Sequence, residues 1–233
     1  MLVVVKVLCV AVLLVAASRL SSCWRRPQAA LPIIVNTWAF TNATDAAWET
    51  LQASQSATAL LDAVEEACSV CEAEQCDGSV GFGGSPDERG ETTLDAMLMD
   101  GDTMNVGAVG NLGGIRSAAR AARLVLDKTR HSLLTGSQAR LFARQMGLSE
   151  EDTATAASRD MHARWQRDSC QPNFWVPQTV SPDPSKFCGP YENAGSAVAS
   201  AAPPASFGSS TASFPSLHSH DTIAVVAVDA AGR

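Results

Sequence analysis

An α/β fold is what this sequence predicts, because short apolar runs of strand length alternate with longer segments of helical periodicity along most of its 233 residues. Apolar residues make up 46% of the chain and charged residues 18%, which supplies a sizeable core and argues against a mostly disordered protein. The length suits one domain, or one domain plus tails.

The chain opens with an apolar run over 2–17 that holds a single charge, Lys6. It is short for a membrane span and resembles a secretory leader followed by small residues. Val15 and Ala17 place a cleavage after Ala17; a cut near Ala29 or Ala30 is the alternative, so the leader ends between 17 and 30. A signal anchor is the competing reading, but Arg19, Ser21 and Ser22 end the run early. No later segment has the length and apolarity of a span. A protein in the secretory pathway, with no membrane association once the leader is removed, is the expectation.

The elements follow in order. Residues 31–36 (LPIIVN) read as a short buried strand. Residues 44–53 read as a helix with Thr44 as N-cap and Asp45 in its first turn. Over 56–72, Ala59, Leu60, Ala63, Val64 and Ala67 share one helical face. A loop over 76–86 follows, with four Gly in seven residues (Gly78, Gly81, Gly83, Gly84), a composition that permits positive φ and close backbone approach. Residues 92–99 alternate as a strand, Asp100-Gly101 signals a hairpin turn, and 105–109 is the return strand. Helical patterns cover 114–130, 136–146 (stopped by Gly147) and 149–167, the last with Ser149 as its start and Glu150, Glu151 and Asp152 in its first turn. A proline-containing loop lies between Cys170 and Cys188. From 192 to 219 the composition turns to Ala, Ser, Pro and Gly, which reads as a flexible linker. A run typical of a buried strand occupies 223–228, and residues 229–232 form a turn.

Charge excludes one class of function. Asp plus Glu number 24 against 17 Lys plus Arg, a formal net charge of −7, and no basic stripe is present. Nucleic-acid binding is demoted accordingly. Of seven Cys, Cys9 falls in the leader and Cys23 near its end. In an oxidising compartment the other five favour disulfides over metal ligands, with one left unpaired. Cys68-x-x-Cys71 resembles half a zinc site, but no second half follows at zinc spacing. Asn42-Ala43-Thr44 is an acceptor sequon, used or unused.

Polar residues stand where the linker meets the last strand: His220, Asp221 and Thr222. A hydroxyl at a strand start, beside a segment that can be cut, is the layout of an N-terminal nucleophile. The Thr222 hydroxyl attacks the Asp221 carbonyl, the peptide becomes an ester, and hydrolysis frees the Thr222 amine. An α-amine titrates near ~7.7–8.0, so it can act as base for its own hydroxyl. Asp221 could activate the hydroxyl and His220 could orient it. A plain polar turn is the competing reading, and His218-x-His220-Asp221 also resembles a metal pair without a third ligand.

Several longer motifs resemble the glycosylasparaginases (aspartylglucosaminidases): Pro32–Trp38, Asn42–Thr44 with Ala46–Trp48, Cys68–Glu88, Gly90–Met97, Met99–Gly101, Val106–Val109, Cys170–Asn173, Asp183–Lys186, Cys188–Tyr191 and His220–Ile223. The resemblance covers 32–191 and 220–228. It implies an N-terminal-nucleophile αββα sandwich, here incomplete, with residues 31–191 as the α-chain part and 220–233 carrying the nucleophile motif and first β-chain strand. It implies lysosomal hydrolysis of the amide joining N-acetylglucosamine to asparagine, without metal or organic cofactor. It implies self-cleavage between Asp221 and Thr222 into α and β chains that assemble as a dimer of heterodimers. By resemblance Thr222 is the nucleophile, Trp38 shapes the substrate pocket, and the Gly-rich loop runs Ser79 near the nucleophile. The implied disulfides are Cys71–Cys76 and Cys170–Cys188, leaving Cys68 a buried free thiol.

The pattern departs from the family after Thr222. Only 12 residues run from Thr222 to Arg233, whereas the family's β chain is far longer and carries the Arg and Asp that hold the substrate and the Thr and Gly of the oxyanion hole. Ala224 stands where the family has Gly. The alternative expectation is therefore a truncated, inactive isoform or gene fragment, an uncut chain acting at most as a non-catalytic α-chain-like protein.

Overall fold

The computed structural model describes residues 31–54, 56–194 and 222–233. The expected leader, residues 195–219 of the expected linker, His220 and Asp221 lie outside the described residues.

The first layer is built around a two-stranded sheet. Strand β1 (Ile33–Asn36) pairs antiparallel with the last strand, β7 (Val225–Val228), in the register Ile33↔Val228 to Asn36↔Val225. Helices α1 (Thr41–Ala53) and α2 (Ala59–Glu74) pack against one face of it. Their contact is lined by small residues, Ala43, Ala47, Ala63 and Ala67, with Cys71 and Val80. Ile34, Phe40, Ile223 and Val225 close this core from the strand side.

The second layer has the hairpin of β2 (Leu94–Met99) and β3 (Val106–Leu112), extended by β4 (Leu134–Thr135), which runs parallel to β3. Helices α3 (Ala118–Lys128) and α4 (Gly136–Gln145) cover its inner face. Leu94, Leu98, Val109, Leu112, Ile115 and Val125 form the larger core there. Gly107 allows β3 to lie directly against α3: a Cβ built on it would collide with the backbone of Ala122 and Leu126. Helix α5 (Ala156–Arg167) and the short pair β5 (Val180–Ser181) and β6 (Glu192–Asn193) complete the described fold.

The mixed α/β class is as predicted, with four local corrections. Helix α1 starts at Thr41, and its N-cap is Phe40 rather than Thr44. The Asn36 amide donates to the Phe40 carbonyl (2.9 Å) and to Thr44 Oγ1 (2.7 Å), so the side chain of Asn36 fixes the entry to the helix. Helix α3 starts at Ala118, four residues later than the pattern suggested. The segment 149–155 is not helical; α5 starts at Ala156, capped by a reciprocal Thr155–Ser158 pair. Residues 149–155 instead tie the layers together: Gly83 N–H donates to the Thr153 carbonyl (2.7 Å), Glu151 N–H to the Gly114 carbonyl (2.9 Å), and Thr153 Oγ1 to the Thr92 carbonyl (2.7 Å). The runs at 31–36 and 223–228, both expected to be buried, are only half-buried, with Val35 54% and Val226 63% exposed. The hairpin turns at Asp100-Gly101 as expected, over residues 100–105, with the Asp100 carboxylate accepting from Asp102 N–H and Thr103 Oγ1.

Both expected disulfides form, Cys71–Cys76 and Cys170–Cys188. Cys68 is a free thiol. Among the described residues no helix is long and apolar enough to cross a membrane.

Candidate active site

Thr222 lies just ahead of β7, and the residues that follow β1 hold it there. The Thr37 N–H donates to the Ala224 carbonyl (3.1 Å), and the Ala224 N–H returns a bond to Thr37 Oγ1 (3.2 Å). One residue on, the Trp38 indole N–H donates to the Thr222 carbonyl at 3.0 Å. Two of the sequence-predicted residues, 184 positions apart, are thereby in direct contact. Thr222 is exposed, and Ile223 turns into the first core. The register of β1 with β7 therefore determines where the Thr222 hydroxyl sits.

A cavity of about 240 Å³ opens beside it, and Thr222, Ile223, Ser79, Cys68, Glu72 and Asp95 are among its lining residues. Ser79 reaches it through the Gly-rich loop. That loop leaves α2 through Gln75, in the left-handed conformation, and the Cys76–Gly78 turn. The Gln75 amide donates to the Phe82 carbonyl (2.8 Å), and the Arg116 guanidinium lies over the Phe82 ring at 3.9 Å while also donating to the Asp152 carbonyl. Gly81 stands at φ +80°, and a side chain there would run into the backbone of Glu72, so the position suits glycine on both counts. The Ser79 hydroxyl oxygen is buried without a hydrogen-bond partner among the described residues. A buried hydroxyl in that state costs stability unless a group entering the cavity meets it.

The sequence reading did not single out Glu72. It is 8% exposed, it lines the cavity, and its carboxylate accepts the Ala119 N–H at 2.8 Å, at the start of α3. Burial pushes its pKa up to about 7; the amides of Ala119 and Ala118 oppose that shift, and the nearby Glu65 carboxylate adds to it. Burial, with the Glu72 and Glu65 carboxylates, pushes the Cys68 thiol up to about 12, which makes it unreactive at neutral pH. Glu65 itself pairs with Arg120 (2.5 Å). A signal was present in the spacing: residues 65, 68 and 72 fall on one face of α2, away from the face of Ala63, Ala67 and Cys71 that packs in the first core.

Other predicted positions lie apart from the cavity. Asn42 is exposed in the first turn of α1, and its amide donates to Glu74. The Cys170–Cys188 bond closes the proline-containing loop. His220 and Asp221 lie outside the described residues. Among the described residues no three His, Cys, Asp or Glu side chains are grouped to hold a metal ion.

A model of the asparaginase family matches residues 11–233. The chain is 53% identical over 208 residues to N(4)-(beta-N-acetylglucosaminyl)-L-asparaginase of Mus musculus, which covers 89% of this chain and 57% of that protein. It is 51% identical over 205 residues to the Rattus norvegicus protein of the same name, covering 87% and 55%. A putative N(4)-(beta-N-acetylglucosaminyl)-L-asparaginase of Drosophila persimilis is 47% identical over 208 residues, covering 87% and 51%. The chain thus spans just over half the length of these curated relatives.

Proposed function

This chain belongs to the asparaginase family, and from that premise we propose that it is an amidohydrolase that cleaves the bond between N-acetylglucosamine and asparagine, with Thr222 as nucleophile. The observation that carries the reading is the Trp38–Thr222 contact at the mouth of the cavity. It sets a hydroxyl at the start of a paired strand, beside a space suited to a small polar substrate.

Maturation comes first. The Thr222 hydroxyl attacks the Asp221 carbonyl, the acyl group moves from nitrogen to oxygen, and water hydrolyses the ester. Asp221 activates the hydroxyl and His220 orients it. The freed α-amine then takes the hydroxyl proton as Thr222 Oγ attacks the side-chain amide carbon of the substrate. That proton passes to the leaving glycosylamine nitrogen, and water releases aspartate from the ester. No cofactor enters this scheme. Support for cleavage over the alternative of an uncut chain comes from the seat of Thr222: β7 pairs with β1 over four residues, and the Thr222 carbonyl accepts from Trp38.

The wider reading follows the family. The sheet faces turned away from the helices are apolar, with Val35, Val226, Met97 and Met99 exposed. In an αββα sandwich such faces pack on one another, which supports that architecture. Processed α and β chains would pair and dimerise, in the lysosome, after leader removal and with a glycan on Asn42.

The test is an assay of aspartate release from the glycosylated asparagine. The protein should release it and Thr222→Ala should not, at unchanged secondary structure. Equal release by Thr222→Ala would overturn the assignment.

A further inference from the structure

Glu72 has no part in the scheme above, yet it lines the same cavity as Thr222, as does Ala119, whose N–H its carboxylate accepts. It is fixed there. The Ala119 N–H holds it at the first turn of α3, and the backbone of Glu72 is packed against Gly81 so closely that a single methyl would not fit. The charges around it are one-sided. From its own helix, Glu65 and the Cys68 thiol face it; from β2, Asp95 lines the same space. Arg120 of α3 is engaged by Glu65 at 2.5 Å, and Arg123 of α3 pairs with Asp62, Glu65 and Asp127. No Lys, Arg or His stands among the described residues that line the cavity. A positive group brought to its mouth would meet the carboxyl-bearing Glu72 and Asp95 and no Lys, Arg or His among the described lining residues.

We propose that Glu72 is a positioning residue for Thr222: its buried carboxylate favours the ammonium form of the freed Thr222 α-amine and so sets the pH at which that amine becomes a base. This rests on the proposed role of Thr222. The sign is fixed by Coulomb's law. An anion near an amine stabilises its protonated form, so the amine titrates higher with Glu72 ionised than without it. The Gln variant keeps the shape and an acceptor for the Ala119 N–H but carries no charge.

The experiment does not depend on self-cleavage. A site-specific protease sequence is placed immediately before Thr222, the folded protein is cut there, and the Thr222 α-amine is titrated by ¹⁵N NMR. With Glu72 the midpoint should lie above that of Glu72→Gln, the direction an opposite charge imposes. Equal midpoints, or a higher one in Glu72→Gln, overturn the proposal. If Glu72→Gln fails to fold, the ¹³C carboxyl titration of Glu72 in the unsubstituted protein decides. Cutting before Thr222 should lower its midpoint, because an ammonium then appears beside it, and an unchanged midpoint counts against the proposal. Intact mass of the protein without the inserted sequence reports self-cleavage separately. A chain that stays whole therefore undermines the hydrolase reading without touching this result.

Discussion

Trp38 and Glu72 carry the account at the scale of single residues. The indole N–H of Trp38 fixes the Thr222 carbonyl. An exposed bond of this kind contributes ~0.5–1.5 kcal/mol, so Trp38→Phe should slow Thr222-dependent cleavage up to about tenfold, read by intact mass against time, with the fold intact. Glu72 makes a signed prediction about stability. Its ordinary pKa is 4.5 and burial raises it to about 7 in the folded protein. The folded state therefore binds this proton more tightly than the unfolded state does. The contribution to stability is full below pH 4.5 and is lost as pH rises through 7, an effect of about 3 kcal/mol. Denaturant unfolding should show stability falling across that window in the unsubstituted protein and a flatter profile in Glu72→Gln. An identical profile in both would show that Glu72 does not titrate there. These two residues also differ in how legible they were. Trp38 could be read from the Pro32–Trp38 motif, whereas Glu72 looked like an ordinary helical glutamate. Its burial is decided by the Gly-rich loop that follows α2 and by α3, whose first turn lies 46 residues further along the chain.

Among the elements, the close approach of β3 to α3 is the tightest constraint. A Cβ on Gly107 would meet the backbone of Ala122 and Leu126, neither of which can rotate away. Gly107→Ala should destabilise the protein by more than ~1–3 kcal/mol, the usual range for overpacking, and lower its thermal midpoint. A midpoint unchanged by that substitution would mean that strand and helix can separate freely. Strand and helix identities were mostly legible: β1, β2, β3, α2, α4 and β7 fall where their apolar periodicity put them. Helix starts were less so. Ser149 with three acidic residues after it has the local chemistry of a helix start, but Glu150 pairs with Arg140 and Arg144, and Asp152 with Arg159. Those acids serve tertiary ion pairs, and the backbone beside them bonds to other loops. Likewise Thr44 resembled a cap until Asn36, eight residues back, supplied the partner.

For the whole molecule, α2 lies between the two cores: it contributes Ala63, Ala67 and Cys71 to the first and touches α3 of the second. The two disulfides restrain it unequally. Cys170–Cys188 spans 18 residues and Cys71–Cys76 spans five. In the chain-entropy picture these loops correspond to roughly 3 and 2 kcal/mol. Cys170→Ala/Cys188→Ala should therefore cost more in denaturant unfolding than Cys71→Ala/Cys76→Ala. The reverse order would show that the short bond, beside Ser79, organises the site beyond its entropic share. The α/β class was legible because it follows from periodicity. How strands 190 residues apart would pair was not, since nothing local to β1 specifies β7.

The most direct test of the central claim is intact mass with N-terminal sequencing of the protein purified from cells that process it through the secretory pathway. Thr222 as nucleophile predicts two chains, the second beginning at Thr222, and a single uncut chain in Thr222→Ala. A single uncut chain in the unsubstituted protein, or a split that persists in Thr222→Ala, would contradict it.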